Sequence, residues 1–504
     1  MVFNSYIFIL VFLPLVVTGY FGLNRFCYGK SGQAGLLWLL VSSCIFYAFE
    51  APVFLLFLIF NIIINHILGK RLCLGNKTRN GLGQGKKLLL FVGILANLLP
   101  LVYFKYSNFL LETIGDFSNK EWKMDIALPL GISFITFQQI AYLVDCYRNA
   151  EGNKDSFLEY ATYVAFFPKI TMGPIALHAE IVPQFREQKR KSVDYQNLSM
   201  GLYAFGLGLA KKVLIADVLA KMVNVGFQDI EFLNAADTLM VMLCYTLQLY
   251  FDFSGYCDMA VGVAKMLNID LPYNFNSPYK AKSITEFWDR WHMTLTRFFT
   301  RYVYIPLGGS RRGRIRTYIN VLIIFLLSGI WHGAAWNFVF WGLLHGILMV
   351  IERIGREFFS KDKKTQGVLG RVFVGIRWFV NFCIINVTWV FFRAKSVKEA
   401  TGFLGNVFGG GWQLSHTFTE MVNDLIEIRL LSRLGLSTVF NNMGSWLIWI
   451  ILAIMILAVI GTKNTQEKME TGKYTWRRSL VTVVLIVWSV ISLSDVSVFL
   501  YFNF

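Results

Sequence analysis

SGIWHGAAWNFVFWGLLHG, residues 328–346, places two of the chain's six histidines, His332 and His345, inside an apolar run. That run is one of many. Apolar stretches of about twenty residues recur from one end of the chain to the other, each long enough to cross a hydrocarbon core of about 30 Å. The composition agrees, at 55% hydrophobic and 16% aromatic over 504 residues with a mean hydropathy of +0.51. These features predict an all-α polytopic membrane protein, a single integral domain over residues 1–504. The first run, Val2–Tyr20, has neither a basic leader nor a small-residue cleavage site, and it reads as a retained span.

Seven cysteines are scattered without a C-x-x-C spacing, so neither a disulfide framework nor a metal site is expected. The net charge of +17 comes from 48 basic and 31 acidic residues. In a membrane protein this excess marks the cytoplasmic loops, and it does not argue for binding a nucleic acid. The loop Lys70–Lys87 holds Lys70, Arg71, Lys77, Arg79, Lys86 and Lys87 with no acidic residue, which places it in the cytoplasm. Counting outwards, Arg186–Lys191, Arg311–Arg316, Arg353–Arg377 and Lys463–Arg478 fall on the same side. The expected arrangement is about ten to twelve spans with both termini outside. The longest external stretch is expected at 395–446.

Two apolar runs carry residues that interrupt a span. LPLGISFITFQQIAYLVDCYR (128–148) contains Pro129, Gly131, Gln138, Gln139 and Asp145; VAFFPKITMGPIALHAEIVPQ (164–184) contains Pro168, Lys169, Gly173 and Pro174. Irregular backbone at membrane depth survives only inside protein or against a wet cavity. Both runs are therefore expected to be broken or re-entrant segments around an internal chamber. Proline-kinked spans are the alternative.

Residues able to do chemistry gather between 250 and 346. In YFDFSGYCDMAVGVAKMLNIDLPYNFNSPY (250–279), Asp252, Ser254 and Asp258 close an apolar run, where carboxylates usually face a partner or water. In SITEFWDRWHMTLTRFFTRYVYIPLGGSRRGRIR (283–316), Ser283 and Glu286 match a helix-starting capping box. That pattern predicts a helix carrying Trp288, Asp289, Trp291 and His292, with Asp289 on the face of His292. Asp289 either orients that imidazole or complements the helix dipole. Nine basic residues against two acidic ones between Lys280 and Arg316 suit either lipid headgroups or the phosphates of an anionic substrate, with Arg311, Arg312, Arg314 and Arg316 the candidates. His332 lies sixteen residues beyond Arg316, about 24 Å along a helix, among Trp331, Trp336 and Trp341, which could wall a passage. A lone histidine there either makes an interhelical hydrogen bond or moves protons, as general base or as a transporter's relay. His345 is assigned the bland role, being largely on another face if one continuous helix joins it to His332.

WDRWHMTLTRFFTRYVYIPLGGSR followed by LLSGIWHGAAWNFVFWGLLHG resembles the signature region of the membrane-bound O-acyltransferase family. The likeness is to its bacterial branch of alginate O-acetylation and teichoic acid D-alanylation. It extends to the two interrupted runs, to 250–279 and to the terminal FLYFNF, strongly over about 100–350 and loosely over the peripheral spans 1–99 and 351–504. The resemblance implies a helical bundle around a central tunnel joining a cytoplasmic acyl donor to an acceptor on the opposite side. His332 matches the family's signature histidine in its W-H-G setting, and His292 the second polar position. Both are implied to be catalytic. Trp288, Asp289, Trp291, Trp331, Trp336, Asp252, Ser254 and Asp258 are expected to line the tunnel or position substrate. The resemblance implies no permanently bound cofactor and a thioester donor, acetyl-CoA or an acylated cytoplasmic carrier protein. It further implies an extracytoplasmic acetyltransferase partner or polysaccharide acceptor, contacts with membrane lipids, and residence in a bacterial cytoplasmic membrane. Chain length favours the acetyl-transferring side over D-alanyl transfer.

Overall fold

The computed structural model describes the chain except residues 27–32, 75–81, 119–121, 149–154, 360–367, 426–427, 430–445, 472–474, 494–498 and 501–504. Parts of the basic loops at 70–87 and 353–377, of the external stretch 395–446 and of the terminal FLYFNF therefore lie outside the described residues. The described residues are helical apart from connections and one isolated antiparallel bridge, Phe275 to Trp291.

The N-terminal helices are α1 (Leu13–Phe26), α2 (Ala34–Glu50), α3 (Leu55–Leu74) and α4 (Leu82–Leu101). A π-helical turn, Val102–Tyr106, carries α4 on into α5 (Ser107–Ser118). Next come α6 (Ile132–Arg148), α7 (Phe157–Ala165), α8 (Phe167–Ile170) and α9 (His178–Arg186). The centre is formed by α10 (Tyr195–Ala210), α11 (Asp217–Gln228) and α12 (Ala235–Met266). Two short helices, α13 (Ile284–Trp288) and α14 (Met293–Phe299), precede the hairpin of α15 (Arg314–His332) and α16 (Trp336–Phe359). The chain continues through α17 (Val368–Arg393), α18 (Val397–Gly405), α19 (His416–Asn423), α20 (Trp446–Gly461), α21 (Thr465–Thr471) and α22 (Trp476–Ile491).

Many helix starts are written in the sequence. Ser156 and Glu159 close a reciprocal capping box on α7, while Asp194, Asn234, Ser283 and Ser396 each accept a backbone N–H at the head of their helix. Helix α12 is buried over nearly all of its 32 residues. It meets α10 through facing glycines, Gly201 against Gly262 and Gly208 against Gly255, where an added Cβ would strike the opposite backbone. Small residues of this kind let helices approach closely where lipid offers no hydrophobic drive.

Six described helices are long and apolar enough to cross a membrane, or seven if α20 and α21 form one bent span. The ten to twelve expected from hydropathy include segments that fall short of that length, such as α2, or that carry internal charges, such as α12 with Asp252 and Asp258. The second interrupted run is broken as expected: α7 ends at Ala165, α8 is a single turn, and the chain is buried from Phe166 to Ile170 before α9. The first run differs from expectation. Past Gly131 (φ 69°), it is the unbroken helix α6. Its glutamines find partners within the bundle, Lys169 Nζ donating to Gln138 Oε1 (2.7 Å) and Gln139 Nε2 to Asn61 Oδ1 (2.8 Å), while the buried Gln138 Nε2 has none. With partners at hand, no break is required.

Candidate active site

Val321, Ile324, Phe325 and Ser328 recur along α15 at helical spacing and line one wall of a cavity of about 260 Å³. Thr285, Asp289 and Arg353 lie towards its outer end, and Trp288, Leu295 and Phe299 line it further in. His332 is the next position on the same face of α15, one turn beyond Ser328. The cavity lining thus ends at Ser328, whose Oγ is 3.5 Å from the imidazole. His332 is 2% exposed and is enclosed by Trp331, Trp341 and Phe392 at centroid distances of 4.8, 5.0 and 5.4 Å. Among the described residues, the lining of this cavity does not include the imidazole, which an aromatic enclosure separates from it.

The ring's orientation is fixed. His332 Nδ1 lies 2.6 Å from the Ser328 carbonyl oxygen. A carbonyl only accepts, so Nδ1 carries the proton and Nε2 is the nitrogen with the basic lone pair. Gly333 is needed for space rather than for its backbone angles, since its φ of −163° suits any residue but a Cβ would overlap the Phe338 ring. Gly329 and Gly342 pack together in the same way and seat α15 against α16.

His292 is fully buried, but it does not sit within a helix beside Asp289. Helix α13 ends at Trp288, and His292 takes the left-handed conformation (φ 46°, ψ 49°) at the head of α14. A non-glycine residue pays roughly 1–2 kcal/mol for that geometry. Backbone pairing enforces it: Asn276 N–H donates to the Arg290 carbonyl (2.9 Å) and Met293 N–H to that of Asn274 (3.0 Å). The ring packs on Phe253 and Trp331, at 4.9 and 6.0 Å. Trp331 is therefore shared by both histidines. Asp289, instead of orienting His292, is exposed at the cavity's outer end, where partial burial raises its carboxyl above the ordinary range against the pull of Arg356.

The other sequence candidates divide. Trp288 lines the cavity and its Nε1–H donates to His345 Nδ1 (3.3 Å), which gives His345 a structural partner. Trp291 is buried among Phe275, Phe287 and Trp389. Trp336 is 59% exposed and packs edge-on to Phe109. Asp252 and Asp258 do not face His332 but hold ion pairs, Asp252 with Lys212 (2.7 Å) and Asp258 with Lys211 (2.6 Å). Ser254 and Asp258 line a separate cavity of about 10 Å³, room for roughly one water molecule. The α12 residue that meets His292 is Phe253, between the polar positions that drew attention. Arg311, Arg312, Arg314 and Arg316 are exposed, and the guanidinium lining the cavity belongs to Arg353. Sequence reasoning missed Arg353 and Ser328, although Ser328 stands four residues before His332. It also missed Lys105 and Tyr106, whose signal was a lysine deep in an apolar run. Among the described residues no cluster of three potential metal ligands occurs.

A multi-pass helical membrane protein with an oriented imidazole at the blind end of a hydroxyl-bearing cavity is the class that the fold and site define. The sequence model of the membrane-bound O-acyltransferase family matches residues 85–392, and the chain belongs to that family. It is an O-acyltransferase, which sets aside the transporter alternative. It is 36% identical to the peptidoglycan O-acetyltransferase of Helicobacter pylori, covering 100% of this chain and 98% of that one. It is 37% identical to the probable alginate O-acetylase AlgI of Pseudomonas aeruginosa, over 82% of this chain and 76% of the relative. A teichoic acid D-alanyltransferase of Bacillus subtilis is 29% identical over 47% of this chain and 60% of its own length.

Proposed function

We propose that this acyltransferase moves an acetyl group from a cytoplasmic thioester to hydroxyls of an extracytoplasmic glycan, peptidoglycan or an alginate-like polymer. The observation that carries the reading is the Ser328–His332 turn, which puts a tautomer-fixed imidazole one helical turn past the floor of the cavity. The acyl end of the donor would enter along Thr285, Thr296 and Ser328, leaving its phosphates outside with Arg353 and the exposed Arg311–Arg316 loop. The basic side chains at that end support a cytoplasmic orientation, in keeping with residence in a bacterial inner membrane.

In the reaction, Nε2 of His332 takes the proton of the attacking hydroxyl as its oxygen bonds to the thioester carbon. Collapse of the adduct breaks the C–S bond, and the imidazolium returns the proton to the leaving sulfur. His292, across Trp331, polarises the thioester carbonyl or holds the attacking group. The aromatic seal keeps water from the activated acyl group, and it must part locally to admit substrate. The first acceptor is a hydroxyl of the glycan or of an extracytoplasmic partner protein that completes the modification. The full-length match to a relative named for peptidoglycan puts that polymer first.

The test is base-labile acyl release from purified cell walls and surface polysaccharide of a strain lacking the protein, complemented with wild type or His332→Ala. Acetate should fall on deletion and return with wild type alone, while His332→Ala accumulates in the membrane at normal levels. Loss of D-alanine instead of acetate would move the protein to teichoic acid modification. Normal acetate with His332→Ala would overturn the site assignment.

A further inference from the structure

Helix α15 ends at His332 because Gly333 leaves in an extended conformation, and the carbonyls of its last turn lose their intrahelical donors. At membrane depth such groups must find partners within the protein. The Gly329 carbonyl keeps a long bond from Gly333 N–H (3.4 Å). The next two are taken by one foreign element, the π-helical turn between α4 and α5. Tyr106 OH donates to the Ile330 carbonyl (2.8 Å) and Lys105 Nζ to that of Trp331 (2.5 Å), with the His332 carbonyl at 3.5 Å from the same nitrogen. The ammonium also lies 5.9 Å from the centre of the Trp331 ring, the indole shared by both histidines. A π turn inserts one residue into a helix and is often found at functional sites. Here it brings adjacent residues, Lys105 and Tyr106, onto consecutive carbonyls of another helix. A cation on a helix C-terminus is favourable besides.

We infer that Lys105, assisted by Tyr106, is a positioning residue for acyl transfer: it clamps the last turn of α15 and so fixes the backbone that carries Trp331 and His332. The inference rests on the reading of His332 as the reacting base. Lys105 touches no reacting atom in this scheme and binds no donor. Its loss acts on the geometry of the reacting state, where a misplacement of about 1 Å costs on the order of a hundredfold in rate.

The experiment compares full-length Lys105→Met, Lys105→Arg and Tyr106→Phe in membranes. It measures acetyl-transfer kinetics together with hydrogen–deuterium exchange of the peptide spanning Ser328–Trp336. Lys105→Met should lower kcat by about ten- to a hundredfold with the donor KM within about twofold, and should speed exchange in that peptide. Lys105→Arg, which keeps a charged donor, should recover most of both losses. Tyr106→Phe, which removes one hydroxyl, should show a smaller loss of the same kind and serves if Lys105→Met does not fold. Unchanged exchange would overturn the clamp itself. Faster exchange with unchanged kcat would overturn its role in positioning, leaving the His332 reading to the His332→Ala result. Activity in His332→Ala would sink the site reading whatever Lys105 does.

Discussion

At the scale of single residues, the site separates what side chains do from what the backbone does. The Ser328 carbonyl, not its hydroxyl, sets the His332 tautomer: Nδ1 is 2.6 Å from the carbonyl oxygen and 3.5 Å from Oγ. Ser328 also lines the cavity. Ser328→Ala should therefore keep turnover within a few-fold of wild type, since a lost neutral hydrogen bond is worth about 1 kcal/mol. Ser328→Phe should abolish turnover by filling the floor while the membrane-inserted level stays normal. Equal loss in both variants, read by acetyl transfer at saturating donor, would show that the hydroxyl itself is essential. His332 and His345 were legible as different, though not for the reason the helical phase suggested. No continuous helix joins them; the chain turns at Gly333, and His345 sits on the returning α16 against Trp288. Ser328 was equally readable, because its position follows from the i, i+4 rule alone.

At the scale of elements, the sequence revealed helix starts and concealed helix ends that depend on distant pairing. Ser283 opens α13 as its capping pattern predicts. The break before His292 follows from hydrogen bonds to Asn274 and Asn276, which no local pattern announces. The partners of Asp252 and Asp258 were hidden for the same reason, since Lys211 and Lys212 reach them from the π-helical turn Lys211–Ala216 that joins α10 to α11. Lys212 also pairs with Asp217 (2.9 Å) and lies 4.4 Å from the ring centre of Phe499, while Leu500 N–H donates to Asp252 (3.0 Å). Asp252 is thus a junction of α12, the π turn and the C-terminal segment. Lys212→Met would leave a buried carboxylate without its cation, a loss of about 3–5 kcal/mol for a buried pair. The expected result is a clearly lowered melting temperature in detergent, with part of it regained in Lys212→Met/Asp252→Asn. An unchanged melting temperature in Lys212→Met would show that the junction does not hold these elements together.

At the scale of the whole molecule, the helices give the site two ends. Helix α15 starts at Arg314 and reaches His332 after eighteen residues, about 27 Å on. Arg353 and Arg356, late in the antiparallel α16, return to the basic end. Helix α17 ends at Arg393 beside the α15–α16 turn, where Asn337 Nδ2 donates to the Ala394 carbonyl (2.7 Å). The following loop, with Trp412 70% exposed, is tied to the head of α12 by bonds from Ala235 and Ala236 N–H to the Gly410 and Gly411 carbonyls. On the proposed orientation, which the basic end supports, the Arg311–Arg316 end would face the cytoplasm and the Trp412 end the outside, with His332 nearer the outside. Arg314→Cys and Trp412→Cys, each introduced alone, test this with a membrane-impermeant thiol reagent. On intact cells Trp412→Cys should label and Arg314→Cys should not, and inverted vesicles should reverse the pattern. Labelling of both from one side would mean that the α15–α18 segment does not cross as the hairpin requires. Labelling in the reverse order would put the cavity on the extracytoplasmic face, where no cytoplasmic thioester could enter it, and a donor from the cytoplasm would have to be abandoned.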